Sequence, residues 1–304
     1  MNVLVIGGNG FLGTWVGEKL RQHGLFVRVL DRMEKRRDFD WRGIDYRVGG
    51  LDSTAEVVDA LQDINLVYHL ASSTVPGTSN QDPIFDVSSN VGGSLRLIQA
   101  MAQVGVRRIV FFSSGGTVYG IPHSLPVRES HPLHPISSYG VCKVSIENYL
   151  SMYHHLGVID PLILRPSNPY GPRQSTAGIQ GAVSAFLGGA LRDEGISIWG
   201  DGETVRDYIY VDDLAELAVR AGLSGVCGTY NAGSGLGCSL NELSQCVRDV
   251  TGRRLPAEYL PARGFDVPKI ILDITSASSK FGWKPKVDLR KGVAMTWEAL
   301  NLGG

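Results

Sequence analysis

The chain has 304 residues, 43% of them hydrophobic, enough for one large domain or two modest ones around a real core. Lys and Arg number 29 and Asp and Glu 30, so no field of one sign points to nucleic acid or an anionic membrane, and partners should be small and specific. Cys142, Cys227, Cys238 and Cys246 form no CxxC pair, MNVLVIGG has no basic flank before an apolar core, and no apolar run nears the roughly 18 residues that span a bilayer, so a protein of the reducing cytoplasm is expected.

VLVIG, Val3 to Gly7, is a continuous apolar run ending in glycine, the pattern of a central parallel strand covered on both faces. Phe11, Leu12, Trp15, Val16 and Leu20 then repeat at helical spacing until Gly24 stops the helix. FVRVL closes on Asp31, and RMEKRR, Arg32 to Arg37, reads as a solvated loop. Apolar runs return at NLVYHLA, RRIVFF and PLILRP, with helical patterns between them at Asn90 to Gln103 and Tyr139 to His155. This alternation predicts an α/β fold, a doubly wound parallel sheet of the Rossmann kind over residues 1–166. Beyond Pro166 the chain turns rich in glycine and turn residues, through GPRQSTAGIQG and WGDGETVRD. A helix pattern at Val211 to Ala221 and a strand-like TYNAG follow. A smaller, discontinuous substrate-binding domain over 167–304 is therefore expected, with re-entry into the first domain near 206–233. His131, His134, His154 and His155 lack the HExxH-type spacing that sets two imidazoles on one helical face, so no metal site is expected.

GGNGFLG sets Gly7, Gly10 and Gly13 between the first strand and first helix, where backbone N–H groups and the helix N-terminus can receive a pyrophosphate. Asp31, about 20 residues on, suits the ribose hydroxyls of NAD and repels the 2′-phosphate of NADP, with the neighbouring Arg32 the one dissonant residue. Tyr139 and Lys143 in SSYGVCK stand four apart, hence on one helical face. An ammonium beside a phenol favours the phenolate, so the pair is expected to act as a base near neutral pH.

Taken in register, GGNGFLG, HLA (His69 to Ala71), Asn90, VYG (Val118 to Gly120), Tyr139, Lys143, LRPSNPYGP, RDYIYVDDLA, NAGSG and RGFDVP make the chain resemble the extended short-chain dehydrogenase/reductase family. Within it the resemblance is to nucleotide-sugar epimerases of the UDP-glucose 4-epimerase type. It implies that Phe11, Leu12, Leu51, Leu70, Ala71, Ser72, Asn90 and Pro166 join the glycines, Asp31, Arg32, Tyr139 and Lys143 around NAD. It also implies that Asn168, Arg206 and Arg263 hold the diphosphate of a UDP-sugar, and that a homodimer forms through the helices at Asn90 to Gln103 and Tyr139 to His155. Two arginines in polar, glycine-containing stretches can clamp an anion with fork geometry; the plainer reading pairs Arg206 with Asp207 and Arg263 with Asp266. Core packing explains the apolar stripes Val91, Leu95, Ile98, Met101 and Ile146, Tyr149, Tyr153 as well as a dimer does.

Departures from the family pattern sharpen the reading. Where relatives carry Gly-Asp-hydrophobic for the adenine amine, this chain has Gly49, Gly50 and Leu51, so that contact is missing or comes from Asp52. Ile270, at a position that sets tolerance for a 2-N-acetyl group, leaves hexose against N-acetylhexosamine open. In SSGGTVYG the usual serine or threonine is Gly115, and the Asp-Glu pair of dehydratases is replaced by Gly116 and Thr117. Neither can take a proton from carbon, which disfavours dehydration and decarboxylation. The expected reaction is NAD-dependent 4-epimerisation of a UDP-hexose, with Tyr139, Lys143, and Ser114 or else Thr117 as the catalytic groups. Alternatives are a nucleotide-sugar 4-keto reductase, an epimerase of UDP-N-acetylhexosamine or UDP-uronate, or a catalytically silent nucleotide sensor.

Overall fold

The computed structural model describes residues 1–176, 181–264 and 267–302. In chain order the elements are β1 (Asn2–Ile6), α1 (Phe11–Gln22), β2 (Phe26–Asp31), β3 (Ile44–Val48), α2 (Thr54–Ala60), β4 (Leu66–His69) and α3 (Pro83–Asp86). A single π-helical turn (Val87–Val91) leads into α4 (Gly92–Val104), β5 (Arg108–Phe112), α5 (Ser138–His155), β6 (Asp160–Pro166) and β7 (Asn168–Tyr170). Then come α6 (Ala182–Arg192), β8 (Ile196–Trp199), β9 (Val205–Tyr210), α7 (Val211–Leu223), β10 (Gly228–Ala232) and β11 (Gly237–Ser239). The last are α8 (Leu240–Thr251), β12 (Ala257–Leu260), α9 (Thr275–Phe281) and α10 (Leu289–Leu302).

The main sheet has seven strands in the order β10-β6-β5-β4-β1-β2-β3. Its pairings from β3 through β6 are all parallel. The chain runs outward from β1 to β3, then crosses to place β4 on the other side of β1. The carboxyl ends of β1 and β4 thus flank the switch point at which doubly wound sheets bind ligands. The apolar runs become the central strands because both faces are covered. Leu4, Val67, Ile109 and Phe111 are buried against Leu97 and Ile146 of the helices. β3, one of the two edge strands, lacks such a run. IDYRV is mostly half-buried and alternates polar with apolar, which is why sequence periodicity passes over it.

Two compact units divide the chain. The first comprises Met1–Val118, Pro135–Arg165 and Ala215–Tyr230, the second Tyr119–His134, Pro166–Leu214 and Asn231–Gly304. Two boundaries therefore differ from those expected. The excursion Tyr119–His134 leaves the 1–166 span for the second unit, and re-entry falls at Ala215–Tyr230 instead of near 206–233. Side-chain bonding within the second unit accounts for the excursion. The Tyr119 hydroxyl donates to Asn231 Oδ1 at 2.6 Å, and Asn231 Nδ2 donates to the carbonyls of Val127 and Asp273 at 2.9 and 3.1 Å.

The second unit holds a β11-β9-β7 sheet and a parallel β12-β8 pair. Its own core gathers Tyr170, Phe186, Leu187, Tyr208, Tyr210 and Val247. The stripe Val91, Ile98 and Met101 is buried in the first unit's core together with Ile146, so it is core and not free surface.

Candidate active site

The glycine loop is shaped by close approach. Gly7 has φ +80°, and a Cβ there would stand 2.7 Å from the Ala71 backbone nitrogen, so strand β1 can pass the loop after β4 only as glycine. A Cβ on Gly13 would overlap the Gly7 carbonyl, which lets α1 seat against the turn. At Gly10 the nearest atom is Gly7 O at 3.3 Å. Helix α1 opens on Gly10 with no side-chain cap and no acidic residue in its first turn. By contrast α2, α5 and α8 are capped by Ser53, Ser137 and Ser239. An uncapped, acid-free helix start presents its orphan N–H groups and positive dipole end to an anion. The residues present fit the pyrophosphate of NAD, with Phe11 and Leu12 in the turn that would receive it.

At the end of β2 the Asp31 carboxylate accepts from the backbone N–H of Asn9 and of Met33, each at 3.0 Å. Two oxygens so held keep lone pairs for ribose hydroxyls. Arg32 is exposed, and most of the basic run is exposed with it. Arg36 turns inward instead, donating its backbone N–H to Asn9 Oδ1 at 2.9 Å and pairing with Asp38. Farther along, a Cβ on Gly50 would run into the Asp52 carboxylate. Asp52 thus occupies the space where a side chain at position 50 would begin. Leu51 packs partly buried on the first core, and its carbonyl accepts from Arg96 at 3.2 Å. After β4, the Leu70 N–H donates to the Ile6 carbonyl at 3.0 Å, and the Ser72 hydroxyl to the Thr74 carbonyl at 3.1 Å.

Asn90 lies in the π-helical turn with both amide hydrogens engaged, on Asp86 Oδ1 at 2.6 Å and Thr74 Oγ1 at 3.0 Å. Its Oδ1 accepts from the Ser73 N–H at 2.9 Å, leaving a lone pair as its remaining capacity toward a cofactor. His69 is buried, and its Nε2 lies 2.8 Å from the Ser94 hydroxyl, which donates to the Asn90 carbonyl. Burial first and the Lys143 charge second push the His69 pKa down to about 3, so the imidazole is neutral.

Helix α5 carries the proposed acid–base pair. Lys143 is buried; its Nζ donates to the Phe112 carbonyl at 2.8 Å and stands 5.5 Å from the Tyr139 ring centroid. Desolvation brings its pKa down to about 8, opposed by the Glu147 charge. From sequence the lysine should draw the phenol toward neutrality; the structure corrects this. The Tyr139 pKa is raised, by burial first and by the Asp86 charge second, while the Lys143 ammonium is bonded to the Phe112 carbonyl.

Along the strand-end segment the hydroxyls separate. Ser113 is buried and donates to Glu147, which also receives the Arg165 guanidinium at 3.0 and 2.5 Å. Ser114 is half-buried, and its carbonyl accepts from the N–H groups of Thr117 and Val118 at 3.3 and 3.1 Å. The Thr117 hydroxyl is buried with no hydrogen-bond partner. An unmet buried hydroxyl costs about 1–3 kcal/mol and marks a place where a ligand group would be welcome.

In the second unit Pro166 ends β6, and Asn168 Nδ2 donates to the Asp207 carbonyl at 3.0 Å. The Arg206–Asp207 pairing does not form. Asp207 is wholly buried and accepts from Ser234 N, Ser234 Oγ, Gly235 N and Leu272 N at 2.8, 2.7, 3.1 and 3.2 Å. Arg206 instead donates to the carbonyls of Val205 and Val267 at 3.0 and 2.5 Å. The Arg263 guanidinium lies over the Trp199 ring, 5.0 Å from its centroid, while its alternative partner Asp266 falls outside the described residues. Ile270 is buried at 1% exposure, with its N–H bonded to the Val205 carbonyl at 3.2 Å.

Sequence reasoning missed Asp86, Glu147 and Arg165. Two of them were within reach: Asp86 stands four before Asn90 and Glu147 four after Lys143, the spacing of helical neighbours. Among the described residues one group approaches the spacing for a cation, His154, Asp160 and Cys227, but Arg107 already holds both oxygens of Asp160 at 2.9 and 3.2 Å. No helix among the described residues is long and apolar enough to cross a membrane.

A doubly wound sheet, an uncapped glycine-loop helix and a Tyr139–Lys143 pair define a nucleotide-dependent dehydrogenase scaffold. The model of the NAD dependent epimerase/dehydratase family matches residues 3–233, and the chain belongs to that family. A Mycolicibacterium smegmatis protein named UDP-glucose 4-epimerase is 36% identical over 306 residues, 98% of either chain. The Thermotoga maritima UDP-glucose 4-epimerase, solved with UDP-glucose, superposes with a TM-score of 0.95 at 35% identity over 100% of this chain and 99% of that one. The Thermus thermophilus enzyme of that name, solved with NAD, gives 0.94 at 33% identity over 99% of both chains.

Proposed function

We propose that this protein is an NAD-dependent UDP-hexose 4-epimerase that interconverts UDP-glucose and UDP-galactose through a transient 4-keto sugar. The observation that carries the reading is the Tyr139–Lys143 pair on α5, with Gly116 and Thr117 where dehydration or decarboxylation would demand a carboxylate. Bound NAD supplies a reversible hydride acceptor and, when oxidised, a positive ring that favours phenolate. Tyr139 takes the O4 proton as C4 is oxidised and returns it on reduction, so the protein ends each cycle in its starting protonation state. Lys143 holds the positive charge that makes the phenolate affordable. Asn168, Arg206 and Arg263 bind the diphosphate, which lets the keto sugar turn about its phosphate linkage and present its other face. Asp52 takes the adenine amine in place of the missing aspartate.

For the hydroxyl that replaces the family serine, Ser114 and Thr117 both remain candidates, and the buried, unpartnered Thr117 hydroxyl now argues for the second. Four cysteines outside any disulfide support a reducing cytoplasm. A homodimer is supported by apolar side chains that α5 leaves exposed, Val141, Tyr149 and Met152, with Ile84 and Phe85 of α3 nearby in the chain's first unit.

The test is a sugar-nucleotide panel with purified protein. UDP-glucose and UDP-galactose should interconvert without added NADH, and NAD(H) should co-elute through gel filtration. If UDP-glucose, UDP-galactose, their N-acetyl forms and UDP-glucuronate are all left untouched, the reading fails. Exchange of the cofactor with solution at each turnover would favour the 4-keto reductase instead.

A further inference from the structure

Asp86 is a carboxylate with no solvent exposure at the junction of α3 and the π-helical turn. It accepts from Thr74 Oγ1 at 2.5 Å, Asn90 Nδ2 at 2.6 Å and Ser138 Oγ at 2.6 Å, and the Cys142 thiol bonds it as well. Those donors come from the loop after β4, the π-helical turn and α5. Ser138 is the residue before Tyr139. The same stretch closes the helix start further, since Asn80 Oδ1 accepts from Ser138 N at 2.8 Å and Ser79 Oγ from Tyr139 N at 3.1 Å. A buried charge is costly unless it is fully bonded, and this one is bonded on both oxygens. A π-helical turn inside a helix commonly accompanies a functional site, and here it brings Asn90 onto the same carboxylate.

We propose that Asp86 is a positioning residue for the Tyr139–Lys143 pair, anchoring the first turn of α5 through Ser138 and placing a fixed negative charge beside the phenol. The proposal rests on Tyr139 being the acid–base group. Its charge holds the proton on Tyr139 and adds to the attraction for the proton on Lys143. The other titratable groups around the pair are Cys142 and Glu147 on α5 and the neutral His69 at the end of β4.

The experiment separates anchor from charge. In Asp86→Asn the amide oxygen still accepts from Thr74 and Asn90, and the amide nitrogen donates to Ser138, whose hydroxyl can accept. That variant keeps the bonds and loses the charge. Both limbs of the kcat pH profile should move to lower pH, by about one unit for a neighbouring charge removed. Ser138→Ala keeps the charge and loses the anchor: kcat should fall about tenfold for an acid–base group out of line, with KM and the pH limbs unchanged. Wild-type kcat and pH limbs in both variants, with only the melting temperature lowered, would reduce Asp86 to a structural role and overturn the proposal. Tyr139→Phe in the same assay isolates the underlying reading. If it stays active, the assignment of Tyr139 fails; if it is dead while Asp86→Asn keeps the wild-type profile, the assignment stands and the role of Asp86 falls.

Discussion

Helices α1 and α5 both carry proposed site residues on their first turns, and they begin in opposite ways. Helix α1 opens on Gly10 with bare N–H groups and no acid nearby in the turn. Helix α5 opens on Ser137, whose hydroxyl accepts from Gly140 N, while Ser79, Asn80 and Asp86 take the next donors along. The difference follows from what each must hold. A helix start that is to receive a phosphate must leave its donors unspent. One that is to aim a phenol spends them on its own protein, so that the side chain cannot wander.

The largest effect that would break this comparison is at Gly13. Gly13→Ala forces a methyl group onto the Gly7 carbonyl, so the variant should lose NAD on gel filtration and about 1–3 kcal/mol of stability through overpacking. Gly10→Ala, with 3.3 Å to its nearest atom, should fold normally and lose affinity only. Retained NAD in Gly13→Ala would mean that α1 tolerates a wider turn than the structure has.

Next is Lys143→Met, expected to lower kcat about a hundredfold by removing the charge that supports the phenolate. It also has a stability signature. With a folded pKa near 8 against an ordinary 10.5, the folded state holds fewer protons than the unfolded one between those values. Wild-type stability relative to Lys143→Met must therefore rise as pH goes from about 8 to about 10.5, which melting curves at several pH values would check.

Smaller effects belong to the hydroxyls. Thr117→Val and Ser114→Ala should each be compared with Ser113→Ala, whose oxygen is committed to Glu147. Turnover should drop about tenfold in the variant that lacks the substrate's partner, whereas Ser113→Ala should keep turnover and lose about 1 kcal/mol of stability. Equal, mild losses in all three would leave the role to another group. Smallest is Asp52→Ala, expected to weaken NAD about two- to tenfold by one lost hydrogen bond, and a Gly50→Asp change added to it should restore binding.

How far the sequence reached varies by region. The central strands, α1 and α5 were legible because buried parallel strands and amphipathic helices leave periodic apolar traces, and the glycine spacing reported its own turn. The edge strand β3, at the end of the sheet away from β10, left none. The excursion Tyr119–His134 was hidden too, since what moves it is a set of single hydrogen bonds, Tyr119 to Asn231 and Asn231 to Val127, between residues far apart in sequence.

The sequence by itself determined the doubly wound fold, the glycine loop and the Tyr139–Lys143 pair, because each is written in local spacing. Only the tertiary structure decided the proton affinities and the pairings. It showed Tyr139 raised and not lowered, Asp207 bonded to Ser234 and not to Arg206, and Asp86 seated at the start of α5. Burial and charge proximity depend on which distant segments meet, and spacing along a chain carries no record of that.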